Sequence, residues 1–478
     1  MFSSTRPSVL CDHLRIPYDV RQLELPAGCG GLVLPSGRGL HWKADESGPA
    51  LEHRVGGIRF FAPVCDDEEA ARLLGSGWRR TEPVQQADGR PAGSLWQRGD
   101  GSIFLPFAPD AAIVAFWSEA YLTALTSPGR QHLRRLATKT YYGARPFLPR
   151  SVQIALRRRF ARIQERTPFP RWPAETALDD LLHFLLQRLA NAAGEAVPML
   201  HAWPDGRSWA LVLTHDVETD KGYQALERLR DVELSLSFRS SWNFVPRRYE
   251  VDEVVVRMLW AEGFEVGVHG LYHDGRDLES LETLQQRLPE MRRYAERWNA
   301  TGFRSPATHR HWEWMPLLGF DYDSSYPDTD PFEPQAGGCC SLLPFFNENL
   351  VELPLTMAQD HTLFVILRDP DERRWLDKAQ FLRERGGLAL LNIHPDYMLE
   401  KEDLELYGRL LRAFASDSSM WHALPREVSR WWRERAGTSL SRTNGDWVAT
   451  GPAAERARLV FTEPDGGTDV NMLPAHQV

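Results

Sequence analysis

The residues of this chain best suited to chemistry lie in two short stretches about fifty positions apart. One is Leu213-Thr214-His215-Asp216-Val217-Glu218, and the other is Gly267-Val268-His269-Gly270-Leu271-Tyr272-His273-Asp274. Histidines four residues apart can aim two imidazoles at one centre across a turn of helix, and the Asp-x-Glu pair adds an oxygen ligand and a spare carboxylate. Two imidazoles and one carboxylate leave a coordination position open for water, as a hydrolytic metal site requires. The residue types and their spacing therefore point to a metal-dependent hydrolase. Mixed nitrogen and oxygen donors favour Zn2+, and cobalt, nickel or iron fit a similar geometry.

Composition narrows the alternatives. The chain has 478 residues, 42% of them hydrophobic, with 17 Trp and 22 Phe, which is material for more than one core. A formal charge of -9 argues against a nucleic-acid partner, whose binder carries a basic surface. Cys11, Cys29, Cys65, Cys339 and Cys340 form neither a disulfide framework nor a Cys-x-x-Cys zinc site, which suits a reducing compartment. The start of the chain shows no basic region followed by an apolar run, and the longest apolar stretch is broken by Pro106, Pro109 and Asp110. The expectation is a cytoplasmic protein with no transmembrane segment.

Charge is unevenly spread. Residues 134–171 hold ten arginines and one lysine against a single acid, Glu165. Within this block, Arg157 to Arg166 alternate with apolar residues at helical spacing. Such a segment can be a solvated or docking helix, or a surface for an anionic carrier or a membrane face.

These residues need a scaffold to position them, and four regions are expected. Residues 1–130 read as an N-terminal α+β region of unknown role, and 131–205 as a helical, arginine-rich connection. Residues 206–436 alternate strands and helices, with strands expected at Ala210–Thr214, Leu234–Phe238, Phe264–Val268, Gly302–Arg304, Phe320–Asp323, Val351–Leu355 and Gly387–Ile393. About seven strands with helices between them make an α/β fold of the incomplete (β/α) barrel type, and Asp216, His269, Arg304, Asp323 and His394 fall at strand C-terminal ends, where such barrels carry their chemistry. Residues 437–478 read as a small β appendage, a hairpin from Asp446–Thr450 and Ala457–Thr462 followed by a flexible tail.

Over about Ala210 to Trp432, under half the chain, the sequence resembles the polysaccharide deacetylases with a NodB-type domain, carbohydrate esterase family four. Five short motifs occur in the family's order: Thr214-His215-Asp216-Val217-Glu218, His269-Gly270-Leu271-Tyr272-His273, Arg304-Ser305-Pro306-Ala307, Asp323, and the apolar strand ending in Ile393-His394. The resemblance implies that Asp216 is the base and that Glu218, His269 and His273 hold the metal, with the reverse assignment of Asp216 and Glu218 left open. It implies that Arg304 orients the base, that the backbone N–H of Ala307 binds the oxyanion, that His394 is the general acid, and that Asp323 tunes that histidine. Leu391 and Ile393 become candidates for the acyl pocket. Gly270 stands where the family has a small hydroxyl residue, and Glu218 where it has Asp.

The chemistry can be stated from the residues alone. Amide hydrolysis needs an activated water, stabilisation of a tetrahedral oxyanion, and a proton for the leaving amine, and these residues supply a group for each. A carboxylate base with a histidine acid predicts a bell-shaped rate profile. Trp312, Trp314 and Tyr272, aromatic and close to the motifs, are the candidates to stack on a sugar. An N-acetylated amino sugar, carried on a nucleotide or lipid diphosphate during surface polysaccharide synthesis, is the expected substrate. An amidohydrolase acting on a non-sugar amide, or a silent carbohydrate-binding relative, are the other readings.

Overall fold

The computed structural model describes residues 1–44, 46–125, 158–159, 161, 163–369, 371–464 and 473–474. They form two compact units, each assembled from separate stretches of chain.

The unit comprising 140–175 and 207–432 is built around strand Trp209–Val217 (β1), which is buried along its whole length. Parallel strands covered on both faces read as continuous apolar runs, and Ala210-Leu211-Val212-Leu213 is one. The further strands are Ser241–Phe244 (β2), Glu265–Val268 (β3), Gly302–Phe303 (β4), Tyr322–Asp323 (β5), Phe345–Asn347 (β6), Leu350–Glu352 (β7), Leu388–Ile393 (β8) and Met420–His422 (β9). Their order is β6-β7-β5-β4-β3-β2-β1-β8, with β9 alongside β1. All neighbouring pairs are parallel except β6 with β7.

No ladder joins β7 to β8 among the described residues, so the sheet curls without closing. Side chains of the segment after β7 reach β8, Thr356 first among them. The Thr356 hydroxyl donates to the Leu388 carbonyl at 2.6 Å and accepts the Leu390 N–H at 3.0 Å, while Met357 N–H reaches the Leu390 carbonyl at 3.1 Å. An open α/β barrel results, of the class the sequence suggests.

Helices Asp220–Ser235 (α1), Glu253–Ala261 (α2), Leu281–Trp298 (α3), Arg373–Glu384 (α4) and Lys401–Ala415 (α5) connect the strands. The first three are started by Thr219, Asp252 and Ser280, whose side chains accept N–H groups of the first turn. The strand expected at Leu234–Phe238 is absent. Leu234, Leu236 and Phe238 alternate with serines in imitation of a strand, yet α1 runs to Ser235 on the helical spacing of buried Leu226, Leu229 and Glu233, and the strand is Ser241–Phe244.

The second unit gathers 1–139, 176–206 and 433–478. Its main sheet has nine strands between Phe2 and Leu105. Helix Ala177–Ala193 buries Leu178, Leu181, Leu185 and Leu189 along one face. Strand Val197–Leu200 pairs antiparallel with Arg458–Thr462, so the end of the chain completes a sheet begun about 260 residues earlier. The hairpin near the C-terminus is Ser439–Thr443 with Asp446–Thr450, not Asp446–Thr450 with the following strand. Its two-residue turn is Asn444-Gly445, both at positive φ (54° and 97°), the conformation a tight hairpin demands.

Most of the arginine block, including Arg157 and Arg162, lies outside the described residues. Of the rest, Arg158 donates to the Val365 carbonyl at 3.0 Å. No helix among the described residues is long and apolar enough to cross a membrane.

Candidate metal centre and active site

Glu218 follows the last residue of β1, and His269 follows the last residue of β3. The chain then turns sharply instead of entering a helix. Gly270 has φ 66° and His273 φ 55°, and these left-handed residues, not a helical turn, bring the two imidazoles together, with ring centroids 5.1 Å apart and planes inclined by 52°. A Cβ on Gly270 would lie 2.7 Å from the Pro306 ring and overlap Asp277, so the position excludes the family's hydroxyl residue. Support for the loop comes from Asp277 instead, which accepts the Leu271 N–H at 3.2 Å and is itself held by Arg287 at 2.6 Å.

One ligand atom from each of Glu218, His269 and His273 lies within 4.8 Å of the others. His269 suits a cation best. Its Nδ1 faces the Arg304 carbonyl at 3.0 Å, which fixes the proton there, and burial pushes its pKa down to about 4. Its Nε2, buried and without a hydrogen-bond partner, therefore presents a lone pair, the arrangement expected of a metal-bound histidine. His273 Nε2 lies 3.0 Å from Glu218 Oε1, and Arg248 Nη1 lies 2.6 Å from its Nδ1. Arginine can only donate, so in this arrangement the Nε2 proton points at Glu218 and must leave when the ring takes a cation.

Asp216 is buried beside this cluster. Its Oδ1 accepts from Asn243 at 2.8 Å and Arg304 at 3.3 Å, and its Oδ2 accepts from Asn392 at 2.8 Å. Burial alone would raise its pKa, but Arg304, His269 and His394, with the Asn243 bond, hold it well below the usual carboxylate range. Glu218 is likewise depressed, because the His273 hydrogen bond and the neighbouring imidazoles outweigh burial.

His394 Nε2 lies 4.0 Å from Asp216 Oδ2 and 3.8 Å from Glu218 Oε1. Its other face is held by Asp360, which accepts the Nδ1 proton at 2.6 Å and the His394 backbone N–H at 2.7 Å. Against burial, Asp360 first and then Glu218 and Asp216 raise the imidazole pKa to about 10, so it carries a proton to give. The contact with His394 expected of Asp323 is made by Asp360. Asp323 turns back onto its own loop, accepting Ser325 Oγ at 2.7 Å and Ser325 N–H at 3.0 Å, and shares its surroundings with buried Glu352, whose pKa burial and Asp323 raise.

The two pocket candidates, Leu391 and Ile393, point away from Asp216. Asn392 and His394 face Asp216, so strand alternation turns Leu391 and Ile393 to the opposite side, where Ile393 pairs with His215. Trp312 packs against Phe345 and Tyr326, and Trp314 stacks on His311 at 3.7 Å, both half-buried. Tyr272 remains exposed next to His273, with the Arg287 guanidinium 5.0 Å from its ring. Ala307 adopts φ 53° in the turn Pro306–Thr308, against the Gly270 loop.

No family model and no curated protein matches the chain. Solved structures do. One is a candidate polysaccharide deacetylase from Mycobacterium smegmatis, with 18% identity over 52% of this chain and 98% of that one and a TM-score of 0.43. Another, from Pseudomonas aeruginosa PAO1 and also a candidate polysaccharide deacetylase, shares 17% over 48% and 93% at 0.41. Puue allantoinase shares 16% over 48% and 92%, also at 0.41.

Asp360, Asn243 and Asn392 escape the sequence motifs. Asn392 carries a retrospective signal as the one polar residue of the buried strand Leu388–Ile393, and Asn243 lies in the fully buried strand Ser241–Phe244. Gly267 is a second one, since a Cβ there would overlap the Asn243 side chain. Asp360 gives no such sign.

Proposed function

We propose that this protein is a metal-dependent deacetylase that hydrolyses the N-acetyl group of an amino sugar. The observation that carries the reading is the convergence of Glu218, His269 and His273 within 4.8 Å, with the unpartnered His269 Nε2 aimed into the cluster beside Asp216 and His394. A divalent cation held by these three, Zn2+ by donor type, would supply Lewis acidity to the scissile carbonyl and to the attacking water.

The chain's own groups do the rest. Asp216, kept ionised and oriented by Arg304, Asn243 and Asn392, takes the proton of the attacking water. The Ala307 N–H is proposed to stabilise the oxyanion. His394, charged beside Asp360, donates to the nitrogen as the C–N bond breaks, releasing acetate and a free amine. Exposed Tyr272 offers a ring to the sugar.

The test is acetate release from free and nucleotide-linked N-acetylhexosamines by the Zn2+-loaded protein. Turnover that disappears with chelator and in H269A supports the reading. Hydrolysis of non-sugar amides alone would replace it with a general amidohydrolase, and absence of stoichiometric metal would sink it.

A further inference from the structure

The loops that carry Glu218 and His394 are joined by a carboxylate that the proposed reaction does not use. Asp396, two residues beyond His394, reaches across to the end of β1, where its Oδ2 accepts the backbone N–H of Glu218 at 3.1 Å and its Oδ1 accepts the Thr219 hydroxyl. Thr219 is also the residue that starts α1, its Oγ accepting the Gly222 N–H at 3.4 Å. Gly222 leaves the room that this carboxylate occupies, because a Cβ there would overlap it.

We propose that Asp396 is the positioning residue for the metal arm, fixing the backbone of Glu218 so that its carboxylate meets His269 and His273 already ordered. This rests on the metal reading above. Glutamate reaches a cation through a longer stem than aspartate and brings more torsional freedom. Pinning its own amide and the hydroxyl of the next residue leaves only the side-chain torsions to settle, and the His273 contact selects among those. Partners that orient ligands from behind are worth 10–100-fold in metal affinity. Gly222 is the counterpart on the helix: glycine is a poor helix former, and at this point of α1 it stands where the carboxylate passes.

The experiment measures Zn2+ affinity by competition with a chromophoric chelator, alongside thermal melting, for the full chain and for D396A, D396N and G222A. D396A is expected to bind about 10–100-fold more weakly while melting as a folded protein. D396N, which keeps an acceptor for the Glu218 N–H, is expected to lose less. G222A is the discriminating variant, because alanine favours the helix yet its Cβ displaces the carboxylate. Weaker Zn2+ binding with melting unchanged or raised is the expected result, and a purely structural role would not produce it.

Wild-type affinity in both D396A and G222A would overturn the proposal and leave the metal site standing. Should D396A fail to fold, D396N and G222A decide. Should the wild-type chain take up no ion, with H273A behaving identically, the metal reading falls and takes the positioning role with it.

Discussion

Asp360 and Asp323 are both fully buried carboxyls near the mouth of the barrel, and only Asp360 touches His394. Removing its charge while keeping its shape, as in D360N, withdraws the largest influence that raises the imidazole pKa. The sign is fixed: without that anion the protonated ring is less stable, so the acid is lost at lower pH and the alkaline limb of kcat/KM moves down. A displacement of about 1–3 pH units is expected for losing one close opposite charge, and an unmoved limb would show that His394 is not the acid. D216N separates base from ligand. Asp216 is not one of the three proposed ligands, so D216N is expected to lower kcat/KM by about 10²–10⁴ and to keep its Zn2+, whereas H269A loses the ion. At this scale the sequence reveals what recurs at short spacing, such as His269 with His273. It hides Asp360, which meets its histidine across 34 positions.

Helices and strands were legible where one periodicity dominates, as in fully buried β1 and β8 and the amphipathic α3. They were not where two periods fit the same letters, which is how the end of α1 reads as a strand. Nor does any sequence period announce Glu265, the first residue of β3, an acid with no exposure. It accepts the Tyr322 hydroxyl at 2.7 Å and the Arg426 N–H at 3.0 Å, and burial raises its pKa from 4.5 to about 7. The folded state therefore holds a proton that the unfolded chain releases, so this residue's contribution is intact below pH 4.5 and is lost as pH rises through 7. E265Q mimics the protonated form. It is expected to add up to about 3 kcal/mol at pH 8 and almost nothing at pH 4.5, since each pKa unit is worth about 1.4 kcal/mol. Urea unfolding at the two pH values measures it, and equal effects at both would refute the assignment. T356V tests the gap between β7 and β8, because losing the hydroxyl strands a buried carbonyl and a buried N–H, at about 1–3 kcal/mol each.

At the scale of the whole molecule, the alternation of the two units along the sequence was the least legible feature, because pairings such as Val197–Leu200 with Arg458–Thr462 leave no local signature in either segment. The candidate site, by contrast, is drawn from strand ends of a single unit between Asp216 and His394. Its parts are brought together only by folding, since Glu218 and His273 are 55 residues apart and Asp216 and Asn392 are 176 apart. An ion that binds this arrangement and not the unfolded chain must stabilise the fold by mass action. With free Zn2+ at 100 times its dissociation constant, the gain is about 2.7 kcal/mol. Chelator-treated protein is accordingly expected to melt at lower temperature, the melting point to rise with the logarithm of added Zn2+, and H273A to respond far less. D216N, lacking the base and keeping the three ligands, is expected to respond like the wild type. A melting point indifferent to both chelator and Zn2+ would mean that the three side chains meet for some reason other than an ion.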